Sequence, residues 1–439
     1  MSGPRTRIRT TVAVAALSAV LAITAGTPAS GKPPRPTPPP TVNPRNVILF
    51  IGDGMAPEHV ELGRRYLGSS LNVDTIPWGA TGTLNTNSLE GVSDSAAGAT
   101  ALAAGVETNN GWLSMIPTDP PTPVETVLER SEDRGKATGL VSTVDLPDAT
   151  PGAFAAHVTD RGEGEEVAAQ MHAQGSEFLM GGNGWGDSEP LLGRPGVSYV
   201  DDTGELNAYV AGPGAGPMYG LIGVGTPAYV IDREEEGVVG RQPTLPQMTA
   251  GALDVLSADA DGLFLMVEGG AIDWGGHARD PGMTATEMVE FDKAIKVGYD
   301  WAKTRTDTLV LVTADHETGG LNVTSKTNVA AIRGQRASTE FMNGLIRSGS
   351  SITSVLSTYA GISNLTTAER NLIAANGEMG ISDVLAARWK VGWGWSGTDE
   401  GEHTDTPVPI YAFGPRSADF AGTAYPNERV GQKLLSYLP

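Results

Sequence analysis

Short apolar runs that close on an acid or lead into one constrain this chain most. The run 46–51 reads NVILFI and ends at Gly52-Asp53-Gly54. The run 263–267 ends at Glu268-Gly269-Gly270, and 308–313 (TLVLVT) ends just before Asp315-His316. A continuously apolar strand must be covered on both faces, as strands of parallel sheets are. A further strand is expected over 137–142, a short one over 177–180 and a last one over 409–413. Between them lie helical patterns. Thr122-Pro123 reads as a cap followed by a first-turn proline and predicts a helix closed near Gly135. Others are expected over 163–173, 245–257 and 428–438. Thr284-x-x-Glu287 reads as the capping box of a long helix reaching about Lys303. Strands alternating with helices make an α/β fold with a largely parallel central sheet.

Ligands of such sheets bind beyond the carboxyl ends of the strands. At those ends stand Asp53, Asp148 and Thr150, Glu268, Asp273 and His277, and Asp315 with His316. His403 lies just before the last strand. Asp273 and His277 are spaced to fall on one side of a helical turn. Asp315 and His316 would point apart within a strand, so they can share an ion only if the strand stops there, as Gly319-Gly320 suggest. His59, His157 and His172 lie on expected helices and read as packing or surface residues. The chain has no cysteine. A metal site must then use His, Asp and Glu, which favours Zn²⁺ or Mg²⁺.

The stretch 91–105, GVSDSAAGATALAAG, is nearly all small residues. Ser93 and Asp94 are good N-cap types, which sets Ser95 at a helix N-terminus where an anion is held. A serine hydroxyl between two cations about 4 Å apart could lose its proton and attack a phosphate ester. Arg161 is the candidate clamp for the phosphate oxygens.

Arg5, Arg7 and Arg9, an apolar run over 11–24 and small residues to Ser30 form a secretory signal-peptide pattern over 1–30. Residues 31–45 are proline-rich and read as an extended linker. The formal charge is −21. Removing 1–30 takes away three arginines and no acids, which moves −21 to −24. That acidity argues against a nucleic-acid backbone as partner. The stretch 11–24 is too short to span a bilayer, and no other run is apolar for long enough. Residues 181–243 have no clear period and read as surface loops. Within them Gly223–Ala228 loosely matches a dinucleotide fingerprint, which reads as a decoy without its strand–helix frame. Residues 324–389 read as an inserted helical subdomain.

FIGDGM, VSDSAAGATA, DATPGAFAAHVTDR, VEGGAIDWGGHARD, VTADHETGG and GEHTDTPVPIYAFG, in that order, resemble the alkaline phosphatase family. The resemblance implies a three-layer sandwich over 46–439 with a crown-like insertion. It implies a secreted phosphomonoesterase (periplasmic or extracellular) that works through a phosphoserine on Ser95, beside Asp94. One zinc would be held by Asp273, His277 and His403, and a second by Asp53, Asp315 and His316. A third metal, usually magnesium, would use Asp53, Thr150 and Glu268. Arg161 matches the phosphate-binding arginine. Trp274 stands where the best-known bacterial pattern has a lysine, and Asp148 where Trp-bearing relatives often have histidine. Small phosphate monoesters and inorganic phosphate are the implied ligands, and a homodimer the usual assembly. A phosphodiesterase of the same superfamily is the alternative. A sulfatase is disfavoured by Ala96-Ala97 after Ser95, and a Ser-His-Asp hydrolase by the absence of G-x-S-x-G.

Overall fold

The computed structural model describes residues 42–184, 187–212, 216–223, 225–395 and 402–438. The signal peptide expected over 1–30 and residues 31–41 of the linker lie outside them. Ten strands form the central sheet: β1 (Asn46–Ile51), β2 (Ala80–Asn85), β3 (Ala137–Asp145), β4 (Phe178–Gly182), β5 (Ser198–Val200), β6 (Met218–Ile222), β7 (Leu263–Glu268), β8 (Thr308–Thr313), β9 (Val408–Phe413) and β10 (Gly422–Pro426). Their order is β10-β2-β9-β8-β1-β7-β3-β4-β6-β5. Within this sheet, among the described residues, only β9 runs antiparallel to both of its neighbours.

The apolar runs behave as their composition demands. β1, β7 and β8 are buried at every position. Two groups of helices cover the sheet. One contains Pro57–Leu67, Leu245–Leu256 and Pro281–Ala302, and the other Ser95–Ala104, Ala149–Ala155 and Glu428–Tyr437. The result is an α/β sandwich of three layers. Register then positions the site. Ile51 of β1 pairs with Glu268 of β7 on one side and Thr313 of β8 on the other. The three strands end level, and the acids at or just beyond their ends emerge at one edge.

Several local expectations are corrected. Thr122–Pro123 opens no helix; it pairs antiparallel with Met115–Ile116. The helix begins at Val127, capped by Thr126, whose Oγ1 accepts from Glu129 N while the Glu129 carboxylate accepts from Thr126 N at 2.7 Å. A reciprocal box satisfies two orphan donors, more than Thr-Pro can. Thr284 and Glu287 are not a capping box either. Asp280 caps the Pro281–Ala302 helix by accepting from Gly282 N and Met283 N, and Glu287 instead accepts from Val230 N at 2.7 Å.

The supposed loops 181–243 contain β5, β6 and the helix Thr203–Ala211. Strands of three and five residues are too short to show a period. β6 does lead into the Gly223–Ala228 decoy, yet no helix follows among the described residues until Leu245. The expected linker ends early, since Arg416 Nη2 donates to Asn43 Oδ1 at 2.8 Å and Asn43 Nδ2 to the Tyr437 carbonyl. Residues 324–389 form the helices Val329–Arg333, Thr339–Arg347, Ile352–Tyr359 and Thr367–Trp389 around their own apolar cluster, including Leu356, Ile373 and Leu385.

Candidate active site

Asp94 is the N-cap of the Ser95–Ala104 helix and accepts from Ala97 N at 2.9 Å. Every residue of that helix is buried. Its small side chains are what the packing requires: a Cβ on Gly98 would meet the Asp315 carbonyl oxygen at 2.8 Å. Close approach brings Ser95 Oγ to 3.1 Å from His316 Nε2 and 3.5 Å from Asp53 Oδ1.

Two three-residue groups stand beside that hydroxyl. In the first, His316 Nε2 lies 3.4 Å from Asp53 Oδ1 and 3.4 Å from Asp315 Oδ2. β8 stops at Thr313, so Asp315 and His316 need not point apart. In the second, His277 Nε2 lies 3.3 Å from Asp273 Oδ2 and His403 Nε2 3.6 Å from Asp273 Oδ1. The potential ligand atoms of each group fall within 4.8 Å of one another. The His316 and His403 rings stack at 3.6 Å and join the groups.

Hydrogen bonding fixes the tautomers. His403 Nδ1 donates to the Ser93 carbonyl at 2.9 Å, so in the neutral ring Nε2 carries the lone pair, 3.2 Å from His277 Nε2. Thr318 Oγ1 gives its one proton to Asp273 Oδ1, so it can only accept from His316 Nδ1, 3.2 Å away. His316 Nε2 is then bare as well, and burial together with the neighbouring His403 and His277 pulls its pKa well below the usual value. Thr318 was not singled out in the sequence, though it stands two residues beyond His316 in the same block.

The carboxylates show the opposite strain. Burial, then Asp315, Asp273, Glu268 and Asp148 raise the Asp53 pKa well above the ordinary range. Burial and Asp273 push Asp315 up to about 7, and burial with Asp148 and Asp315 pushes Glu268 up to about 8. Asp315 Oδ2 and Glu268 Oε2 are buried without a hydrogen-bond partner. Crowded anions, orphaned carboxylate oxygens and bare imidazole nitrogens together form a donor set that fits divalent cations of the zinc and magnesium kind. Thr150 Oγ1 donates to Asp53 Oδ2 at 3.3 Å on the Glu268 side of the site.

Arg161 Nη2 donates to Asp148 Oδ1 at 2.8 Å, and its Nη1 lies 3.4 Å from Asp94 Oδ2. Asp148 therefore bonds to the arginine and caps the Ala149–Ala155 helix. Trp274 packs edge-to-face on Tyr229, with centroids 6.2 Å apart. His59, His157 and His172 join neither group. His59 Nδ1 accepts from Ala56 N, His157 bonds to the Ser114 carbonyl and Glu129, and His172 lies in the Gly164–Gln174 helix.

His277 is held by residues that sequence reasoning passed over. The Ala278 carbonyl accepts from Ser382 Oγ at 2.6 Å. Arg279 is fully buried at φ +51° and donates to Asp383 Oδ1 at 2.6 Å. Asp280 accepts from Thr339 N and Gln335 Nε2. All three consecutive residues after this histidine are thus tied to the helical subdomain. Only contacts across 55 to 104 residues of chain reveal it.

A family model described as alkaline phosphatase matches residues 44–180 and 189–438. Alkaline phosphatase 3 of Bacillus subtilis is 31% identical over 418 residues, covering 86% of each chain. A streptomycin-6-phosphate phosphatase of Streptomyces griseus is 35% identical over 362 residues, covering 68% of this chain and 78% of the relative. The crystal structure of Thermus thermophilus alkaline phosphatase superposes with a TM-score of 0.80 at 25% identity, covering 90% of this chain and 91% of that one.

Proposed function

The chain belongs to the alkaline phosphatase family and is a phosphatase; from that premise we propose a secreted, metal-dependent phosphomonoesterase acting through a phosphoserine at Ser95. The observation that carries the reading is the position of Ser95 Oγ, 3.1 Å from His316 of one ligand group, whose ring stacks on His403 of the other. No helix among the described residues is long and apolar enough to cross a membrane.

Asp53, Asp315 and His316 would hold one Zn²⁺, Asp273, His277 and His403 a second, and Asp53, Thr150 and Glu268 a Mg²⁺. Such cations neutralise charge on the attacking and leaving oxygens of an in-line displacement. The remaining work belongs to the chain. The helix N-terminus presents Ser95 Oγ and a positive dipole end to the phosphate. Arg161, aligned by Asp148 and Asp94, offers a planar fork to two phosphate oxygens. Ser95 Oγ attacks phosphorus, the ester P–O bond breaks, and the alcohol leaves with a proton. Water then attacks the phosphoserine, releasing inorganic phosphate and restoring the hydroxyl. In-line geometry puts the departing oxygen opposite Ser95, toward Asp273, His277 and His403.

The test compares p-nitrophenyl phosphate with its bis ester after chelation and stepwise return of zinc and magnesium. We expect metal-restored turnover with the monoester strongly favoured; preference for the diester would reassign the enzyme to diester chemistry. Ser95→Ala should abolish the labelled phosphoenzyme and reduce kcat by at least about 10³-fold. Undiminished turnover would rule out the covalent route. The name of the Streptomyces griseus relative adds phosphorylated streptomycin-like alcohols to the monoesters worth assaying.

A further inference from the structure

His277 faces two ways. It belongs to the group toward which the ester oxygen departs, and it also forms part of the wall of a cavity of about 350 Å³. An alcohol leaving from that side has this cavity beside it. Its wall includes Tyr229, Trp274, Met283, Glu340 and Glu378. The same Tyr229, Trp274, Glu340 and Glu378 also border a neighbouring groove of about 1000 Å³.

The chemistry of the wall is specific. Trp274 and Tyr229 meet edge-to-face at 85°, against the buried Met283. The Tyr229 hydroxyl donates to Glu340 Oε2 at 3.0 Å, which fixes the ring and still leaves the exposed carboxylate with lone pairs. Glu378 accepts from Thr339 Oγ1 at 3.2 Å at the same border. Among the described residues no lysine or arginine lines the smaller cavity. The electron-rich faces of Trp and Tyr attract cations, and carboxylates beside them reinforce the preference. A second anion on the alcohol meets the Glu340 carboxylate there, while Arg347 borders only the wider groove.

We propose that this cavity is the leaving-group site and that it selects phosphate monoesters whose alcohol carries a cationic group. Esters carrying a further anionic group are the disfavoured class. The proposal rests on the phosphomonoesterase reading. It makes Tyr229, Trp274 and Glu340 specificity-determining residues, with Glu340 supplying the local charge.

The test uses the metal-loaded full chain and three aryl phosphates: p-nitrophenyl phosphate, 4-(2-aminoethyl)phenyl phosphate and 3-(4-phosphonooxyphenyl)propanoate. The last two have similar phenols and differ in charge. Wild type should favour the cationic ester over the anionic one by about tenfold in kcat/KM at low salt. Glu340→Gln should shrink that ratio to about threefold, and Glu340→Lys should abolish or invert it. Circular dichroism of both variants checks folding, and either one suffices because the ratio is internal to each protein. The acidity of the whole molecule favours cations everywhere, so only a change in ratio at this one position counts as support. Turnover of p-nitrophenyl phosphate with a wild-type ratio near one, or a ratio that Glu340→Lys leaves alone, overturns the leaving-group assignment by itself. No turnover of p-nitrophenyl phosphate under any metal condition overturns the phosphomonoesterase reading, and this one with it.

Discussion

At the scale of single residues, one carboxylate serves several partners at once. Asp94 caps the Ser95 helix through Ala97 N, accepts from Gly111 N at 2.9 Å and faces Arg161. Asp94→Ala therefore removes a cap and one of the two acids that align the arginine. We expect a loss of about 1–2 kcal/mol in stability, read from the denaturant midpoint, together with weaker phosphate inhibition. A normal inhibition constant would show that Asp94 serves the helix alone. Trp274 brings an aromatic ring, and no cation, beside His277. Trp274→Lys should lower the inhibition constant for phosphate by about threefold to tenfold; an unchanged constant would show that position 274 has no electrostatic hold on the anion. Ser95 was legible because cap chemistry and the family blocks coincide on it. Thr318 was not, because a threonine's worth here is which proton it gives away, and that depends on His316 and Asp273 lying on either side of it.

Among the elements, the turn after His277 couples the site to the helical subdomain. The Arg279–Asp383 pair is largely buried, and removing one partner leaves a charge in a low-dielectric setting. Asp383→Ala should cost about 3 kcal/mol, visible in the unfolding midpoint. It should also weaken zinc binding at the group containing His277 more than at the group containing His316, measurable by competition with a chromogenic chelator. Equal weakening of both would make the pair a purely structural support. The elements themselves were legible in proportion to their length. β1, β7 and β8 announce themselves because six buried residues cannot carry an alternating pattern. β5 and β6 hide in a glycine-rich stretch because three to five residues carry too few positions to establish one. The misread caps share one cause. Thr122-Pro123 and Thr284-x-x-Glu287 match local rules, but Thr126 with Glu129 and Asp280 satisfy more backbone donors.

For the molecule as a whole, stability and metal binding are linked through the crowded carboxylates. Asp315 and Glu268 have folded-state pKa values raised to about 7 and about 8, against ordinary values near 4. Between those limits the folded chain without metal binds more protons than the unfolded chain. The contribution of these two groups to its stability is therefore fully present below about pH 4 and is lost as pH rises through the interval to about 8. Cations replace the protons and reverse the trend. Scanning calorimetry should show the metal-free protein melting lower at pH 8 than at pH 5, with the gap between loaded and chelated protein widest at pH 8. Asp232 and Glu287, also pushed up to about 7 by burial, contribute the same slope with or without metal. The difference between the two forms is thus the diagnostic quantity, and an equal gap at both pH values would detach the carboxylate cluster from metal binding.

The sequence by itself determined the alternation of buried strands and helices, the placement of acids and histidines at strand ends, and the small-residue helix that carries Ser95. Those are properties of period, composition and local capping, which a linear string records. Only the tertiary structure decided the tautomers of His316 and His403, the tether of His277 to the helical subdomain and the pairing of Trp274 with Tyr229. Each depends on a contact between residues distant in the chain, or on the single proton that one hydroxyl can give. A pattern of neighbours along the chain encodes neither.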